Sequence, residues 1–81
     1  MNLFGLLGIL SALLTLSAFI ANEYGKLSAD SIWYDTINFV SGLGLFIYAY
    51  HEGVLPFMLT NGVWALVSGI DVGRYLLHKY V

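Results

Sequence analysis

The chain has 81 residues, 59% of them apolar and only 10% charged, with a net charge of −2 and a mean hydropathy of +0.81. A soluble domain is about 45–50% apolar and about 25% charged, and three basic and five acidic side chains cannot coat the relatively large surface of so small a domain. The balance also excludes an electrostatic footprint for nucleic acid, and the lack of cysteine excludes disulfide staples, thiol catalysis and cysteine-bound zinc.

The apolar residues arrive in three blocks without acidic or basic charge: Leu3 to Ala21, Thr36 to His51 and Gly53 to Ile70. Each is near the roughly 20 residues that a helix needs to cross about 30 Å of hydrocarbon. The sequence therefore reads as an all-α membrane protein, a single domain over residues 1–81 with three transmembrane helices. The first is expected over about 3–21. Its start, Met1-Asn2-Leu3-Phe4-Gly5, lacks a basic n-region, and Phe19-Ile20-Ala21 lacks a small-x-small cleavage pattern. It reads as a retained span, not a signal peptide. A polar link follows, in which Gly25 is a helix terminator.

The second helix is expected over about 31–51. Ser28, Asp30 and Ser31 are N-cap residues, and Asp30 and Asp35 place carboxylates near the positive helix end. The third is expected over about 55–77, opened by Pro56 in its first turn. Short connectors make sequential helices antiparallel. Lys26, Arg74 and Lys79 then share one side of the membrane, which the positive-inside rule makes cytoplasmic, with the N-terminus outside and the C-terminus inside. Tyr24, Trp33, Tyr34, Tyr75 and Tyr80 at that end, with Tyr48 and Tyr50 at the other, form interfacial belts.

At 100° per residue, Asn61, Trp64, Ser68, Asp71 and Tyr75 share a stripe on the third helix, flanked by Gly62, Ala65, Gly69 and Gly73. Asp35, Asn38, Gly42, Leu45 and Ala49 share a face of the second helix; Gly8, Ser11, Ala12, Thr15 and Asn22 share one of the first. Lipid gives helices no hydrophobic reason to associate, so such small-residue faces mark contacts. Ser11, Thr15, Ser41 and Ser68 read as hydrogen-bonding glue between helices. Asn38 and Asn61 read either as glue or as a solute site, because a carboxamide has up to four hydrogen bonds to satisfy. Asp71 and Arg74, at i,i+3, are placed to pair, with Arg74 snorkelling toward the headgroups. His51 and Glu52 read as a solvated pair. No metal, cofactor or catalytic constellation is expected: His51 and His78 fall at opposite ends, and there is no phosphate loop or HExxH.

Two resemblances follow. Lys26-Leu27-Ser28-Ala29-Asp30-Ser31, then Tyr34, Asn38 and Gly42, then Tyr48, Gly53, Pro56, Asn61, Trp64 and Ala65 resemble the pattern of an uncharacterised family of small bacterial three-helix membrane proteins. That family implies no particular activity. More distantly, Ser28-Ala29-Asp30, Gly42-x2-Leu45-Phe46 and Pro56-x4-Asn61 resemble segments of the SemiSWEET sugar transporters of the PQ-loop superfamily. This second resemblance implies a three-helix bundle, N-out and C-in, that works as a symmetric homodimer around a central pocket. The chain departs from it in two places. No Pro-Gln pair stands near Ala18-Phe19, and Phe46 occupies the position of a pocket tryptophan.

The expected function is a SemiSWEET-like facilitator for a small neutral polar solute in a bacterial inner membrane. Asn61 and Asn38 would bind the solute, Phe46 and Trp64 would line the pocket, and Asp35, Asp71 and Arg74 would sit at the cytoplasmic mouth. The competing class is a non-transporting structural or accessory subunit of a larger membrane complex. Topology is directly measurable: a C-terminal reporter fusion should be cytoplasmic and an N-terminal one external. Both reporters on the same side would overturn the three-span reading.

Overall fold

The computed structural model describes residues 2–80, with side chains through His78; the Lys79 charge and the Tyr80 ring lie outside the described side chains. It consists of α1 (Leu3–Glu23), α2 (Ile32–Glu52) and α3 (Leu55–Tyr80), with no strand among the described residues. The helices match the expected positions but extend slightly further at their C-terminal ends. Each of the first two stops where a glycine turns the chain. Gly25 and Gly53 both take φ +72°, a left-handed conformation costly to residues with a Cβ. At these turns the Lys26 N–H reaches the Ala21 carbonyl at 2.8 Å, and the Val54 N–H reaches that of Ala49 at 3.0 Å. These bonds satisfy carbonyls that a helix end leaves without intrahelical donors.

The helix starts are capped as locally. Asn2 Oδ1 accepts from the Gly5 N–H at 2.8 Å, and Ser31 Oγ from the Trp33 N–H at 3.1 Å. The link after α1 is tied down by Asn22, whose Nδ2–H donates to the Leu27 carbonyl at 2.8 Å. At the opposite end, His51 stacks on Phe4 with ring centroids 3.9 Å apart and planes within 6°. The same imidazole lies 3.2 Å from the Glu52 carboxylate, so the expected solvated pair also joins the start of α1 to the end of α2.

α2 is the central helix. It packs against α1 on one side and α3 on the other, whereas α1 and α3 make no direct backbone approach. The contacts are made where side chains are smallest. A Cβ on Gly44 would collide with Ser11 Oγ, and one on Gly8 would sit 2.8 Å from the Tyr48 ring. A Cβ on Gly42 would meet the Ala65 backbone N at 3.1 Å. Gly62 approaches Phe46, and Gly69 approaches Phe39. Both pairs of helices are antiparallel in this register. Gly44 lies outside the face expected to bind partners. A helix with neighbours on two sides needs two smooth faces, and one hydrophobic periodicity reveals only one.

The interior is built from Gly8, Ser11, Ala18, Asn38, Ser41, Gly42, Gly44, Ala49, Ala65 and Ser68, all buried. The large apolar side chains point outward: Leu3, Leu10, Leu13, Phe19, Leu59 and Leu66 are all more than half exposed. That arrangement inverts a soluble domain, where burying such side chains is the main stabilising term. α1 and α3 are long and apolar enough to cross a membrane, and both are mostly exposed within the chain. α2 has 21 residues, about 31 Å of helix, but does not reach the same apolarity because it carries the small and polar residues that face two neighbours.

Packing this close should tolerate no added volume. Gly44→Leu should destabilise the bundle by roughly 1–3 kcal/mol through overpacking against α1. Gly73→Ala, where an added Cβ meets nothing within 4 Å, should be neutral or slightly stabilising through helix propensity. Denaturant unfolding in mild detergent, followed by circular dichroism, checks both. Equal stabilities for wild type and Gly44→Leu would contradict the close approach.

Candidate functional site

Because α1 and α3 stand apart across α2, a cleft of about 240 Å³ opens between them, lined by Thr15 from α1 and by Thr60, Asn61 and Trp64 from α3. Pro56 in the first turn of α3 lets this polar segment start without an unpaired proline defect in a helix interior. The Thr15 hydroxyl donates to the Ser11 carbonyl at 3.1 Å and the Thr60 hydroxyl to that of Phe57 at 3.3 Å. Asn61 Nδ2 donates one of its hydrogens to the same Phe57 carbonyl at 3.0 Å. Hydroxyls whose protons are committed still offer lone pairs, and the carboxamide keeps one N–H and its oxygen. Trp64, 48% exposed, adds an indole face and a ring N–H. The cleft thus presents both donors and acceptors beside an aromatic surface. That combination suits a small molecule rich in hydroxyl groups.

The hydrogen bonds of Thr15, Ser17, Ser41, Thr60 and Asn61 all run to carbonyls of their own helix. The expectation that Thr15 and Ser41 act as glue between helices is therefore corrected. Their protons back-bond to the preceding turn, which needs no neighbour and leaves helix approach to the small size of glycine, alanine and serine.

The residues expected to form one pocket fall in three places. Asn61 and Trp64 share the cleft. Phe46 instead lines an apolar groove of about 420 Å³ between α2 and α3, with Phe39, Leu43, Gly62, Ala65 and Leu66. It packs there because Gly62 leaves room for its ring. Asn38 is buried at 3% exposure. The α2–α3 register sets it near Ser68, seven residues from Asn61 and so about 10 Å away along the helix axis. Asp35 and Asp71 lie toward that same end of α2 and α3, both half-buried. The expected Asp71–Arg74 pair does not form: the described residues hold one ion pair, His51 with Glu52. Arg74 is exposed and its long side chain reaches outward. Thr60 was not singled out by periodicity. It enters the cleft because α1 and α3 diverge there, which spacing along one helix does not show. Among the described residues, no three His, Cys, Asp or Glu side chains gather into a metal cluster.

No curated relative and no solved structure matches the chain. A family model matches residues 3–79, which takes in all three helices and both connectors. The cleft, the groove and the Asp35–Asp71 end all lie within the matched span. The chain accordingly belongs to an uncharacterised small bacterial family.

Proposed function

We propose that this protein is an integral membrane facilitator for a small neutral polar solute of the sugar or polyol class, working as a homodimer in the manner of the SemiSWEET transporters. All three helices cross the bilayer of the bacterial inner membrane, with the N-terminus outside and the C-terminus in the cytoplasm. The observation that carries the reading is the cleft of Thr15, Thr60, Asn61 and Trp64. Its remaining donors and acceptors are not used within the helices, and in hydrocarbon each unsatisfied polar group costs several kcal/mol. Water, a hydroxylated solute or a second polar face must therefore meet them. Two copies related by a two-fold axis can bring two such clefts together and enclose the solute. Asn61 supplies the hydrogen bonds and Trp64 the face against which a sugar ring packs. Phe46 sits outside the cleft, so it shapes the bundle without touching the solute. Asn38 likewise acts at a different level from Asn61.

A second reading has its own support. The groove along Phe39, Leu43, Phe46, Gly62, Ala65 and Leu66 is apolar and lies between two helices. It suits a helix of another membrane subunit, and the protein would then be a non-transporting accessory component.

Asn61→Ala separates the two. A solute-binding Asn61 contributes contacts made to the solute, so the variant should fold normally and lose about 1–3 kcal/mol of binding, or roughly 5- to 150-fold in affinity. The measurement is uptake into proteoliposomes across a panel of sugars and polyols, beside thermal unfolding of both proteins. Flux no greater than that of empty liposomes, together with a destabilised variant, would remove the transport reading for those solutes and favour the accessory subunit.

A further inference from the structure

The polar surface between α1 and α3 continues beyond the cleft. On α2, Gly42 faces Ala65 of α3 and Gly44 faces Ser11 of α1. At about 100° per residue, Asn38 falls about 40° from Gly42, within the shorter arc joining those two contacts. Phe39 and Phe46 fall outside that arc, where they meet Gly69 and Gly62. On α3, Ser68 lies with Asn61 and Trp64 on one side of Ala65, and Gly62 and Gly69 lie on the other. Asn38 and Ser68 therefore sit on the concave side of the bundle, where the cleft opens. The register that seats Ala65 on Gly42 sets them at one level, about 10 Å along α3 from Asn61 toward the Arg74 end.

Both side chains are buried, at 3% and 7% exposure. Among the described residues neither side chain has a hydrogen-bond partner; Asn38 takes part only through its backbone carbonyl, which accepts from Ser41 Oγ. Ser68 thus provides none of the bonding between helices expected of it. Among the described residues no fully enclosed side-chain nitrogen or oxygen lacks a partner, so the polar atoms of Asn38 and Ser68 open on a narrow gap. Burying a carboxamide and a hydroxyl without partners costs stability. The close contact of α2 with α3 does not need them, because Gly42 and Ala65 already make it. The carboxamide offers donors and an acceptor, and the hydroxyl a donor and lone pairs. Together they complement a hydroxyl group that both donates and accepts, supplied either by water or by the solute.

We propose that Asn38 and Ser68 form an inner station on the solute path, where a hydroxyl of the sugar or polyol is held after leaving the Asn61 cleft. This inference rests on the transport reading. Passage across a membrane needs sites that bind well enough to admit a solute and weakly enough to release it, which a second station two turns further on provides. The solute then exchanges one set of hydrogen bonds for another without crossing the intervening depth unpartnered.

The test compares wild type, Asn38→Leu and Ser68→Ala by thermal unfolding in mild detergent and by proteoliposome uptake of the sugar and polyol panel. Without solute, both variants should unfold at or above the wild-type Tm, because no internal hydrogen bond is lost. Ser68→Ala adds no volume and decides this point if leucine does not fit. A solute that raises the wild-type Tm should still raise that of the variants, since the Asn61 cleft is intact. Uptake should nevertheless fall roughly fivefold or more. A Tm well below wild type in Ser68→Ala would show that the side chain bonds within the protein. Uptake at the wild-type rate in both variants would show that the gap holds only water. Either result overturns the station and leaves the transport reading standing, whereas absence of uptake by wild type removes that reading and the station with it.

Discussion

The close approach of α2 to both of its neighbours, through glycine, alanine and serine, is the contact on which every other feature depends. Ser11 fills the space beside Gly44, and the Ala65 backbone comes within 3.1 Å of where a Gly42 Cβ would stand. In water, three helices of this composition would collapse around Leu, Ile and Phe. In lipid those side chains gain nothing by leaving the acyl chains, so association rests on dispersion between surfaces smooth enough to touch. The inverted interior follows directly: small residues meet across the helices, and large ones line the outside.

Placing both smooth faces on α2 has a geometric consequence. α1 and α3 are held apart, and the space between them becomes the cleft of Thr15, Thr60, Asn61 and Trp64. Toward the other end of the bundle, the register that seats Ala65 on Gly42 brings Asp35 and Asp71 to similar depths, on different faces. The polar groups on α3 thus divide into a neutral hydroxyl-and-amide cleft at Asn61 and an acidic end at Asp71, about 15 Å apart along the helix. A neutral cleft favours an uncharged solute.

The position of Phe46 shows how this architecture redistributes residues that appear related in sequence. A shared pocket of Phe46 and Asn61 is what the resemblance to SemiSWEET segments implies, through Gly42-x2-Leu45-Phe46 and Pro56-x4-Asn61. Yet the phenyl ring packs over Gly62, on the groove side of α3, while Asn61, one residue earlier, is turned by 100° toward α1. Adjacent residues on a helix cannot serve the same surface unless that surface is wide.

Much of the structure follows from local chemistry that needs no tertiary contact. The three helices are set by the uncharged blocks and their caps: Asn2 and Ser31 at the starts, and Gly25 and Gly53 in left-handed turns at the ends. The antiparallel order follows from the short connectors. That Asn61 and Trp64 share one surface is also readable, because their spacing puts them on one side of one helix. What lies across from a residue could not be read this way. Spacing along a helix gives an angle about its axis, but not the register against a neighbour or the identity of that neighbour. Only the packed structure places Thr15 and Thr60 in one cleft, assigns Gly44 to Ser11, and separates Asn38 from Asn61. Those relations depend on how closely each pair of surfaces can approach, a property that no single helix possesses alone.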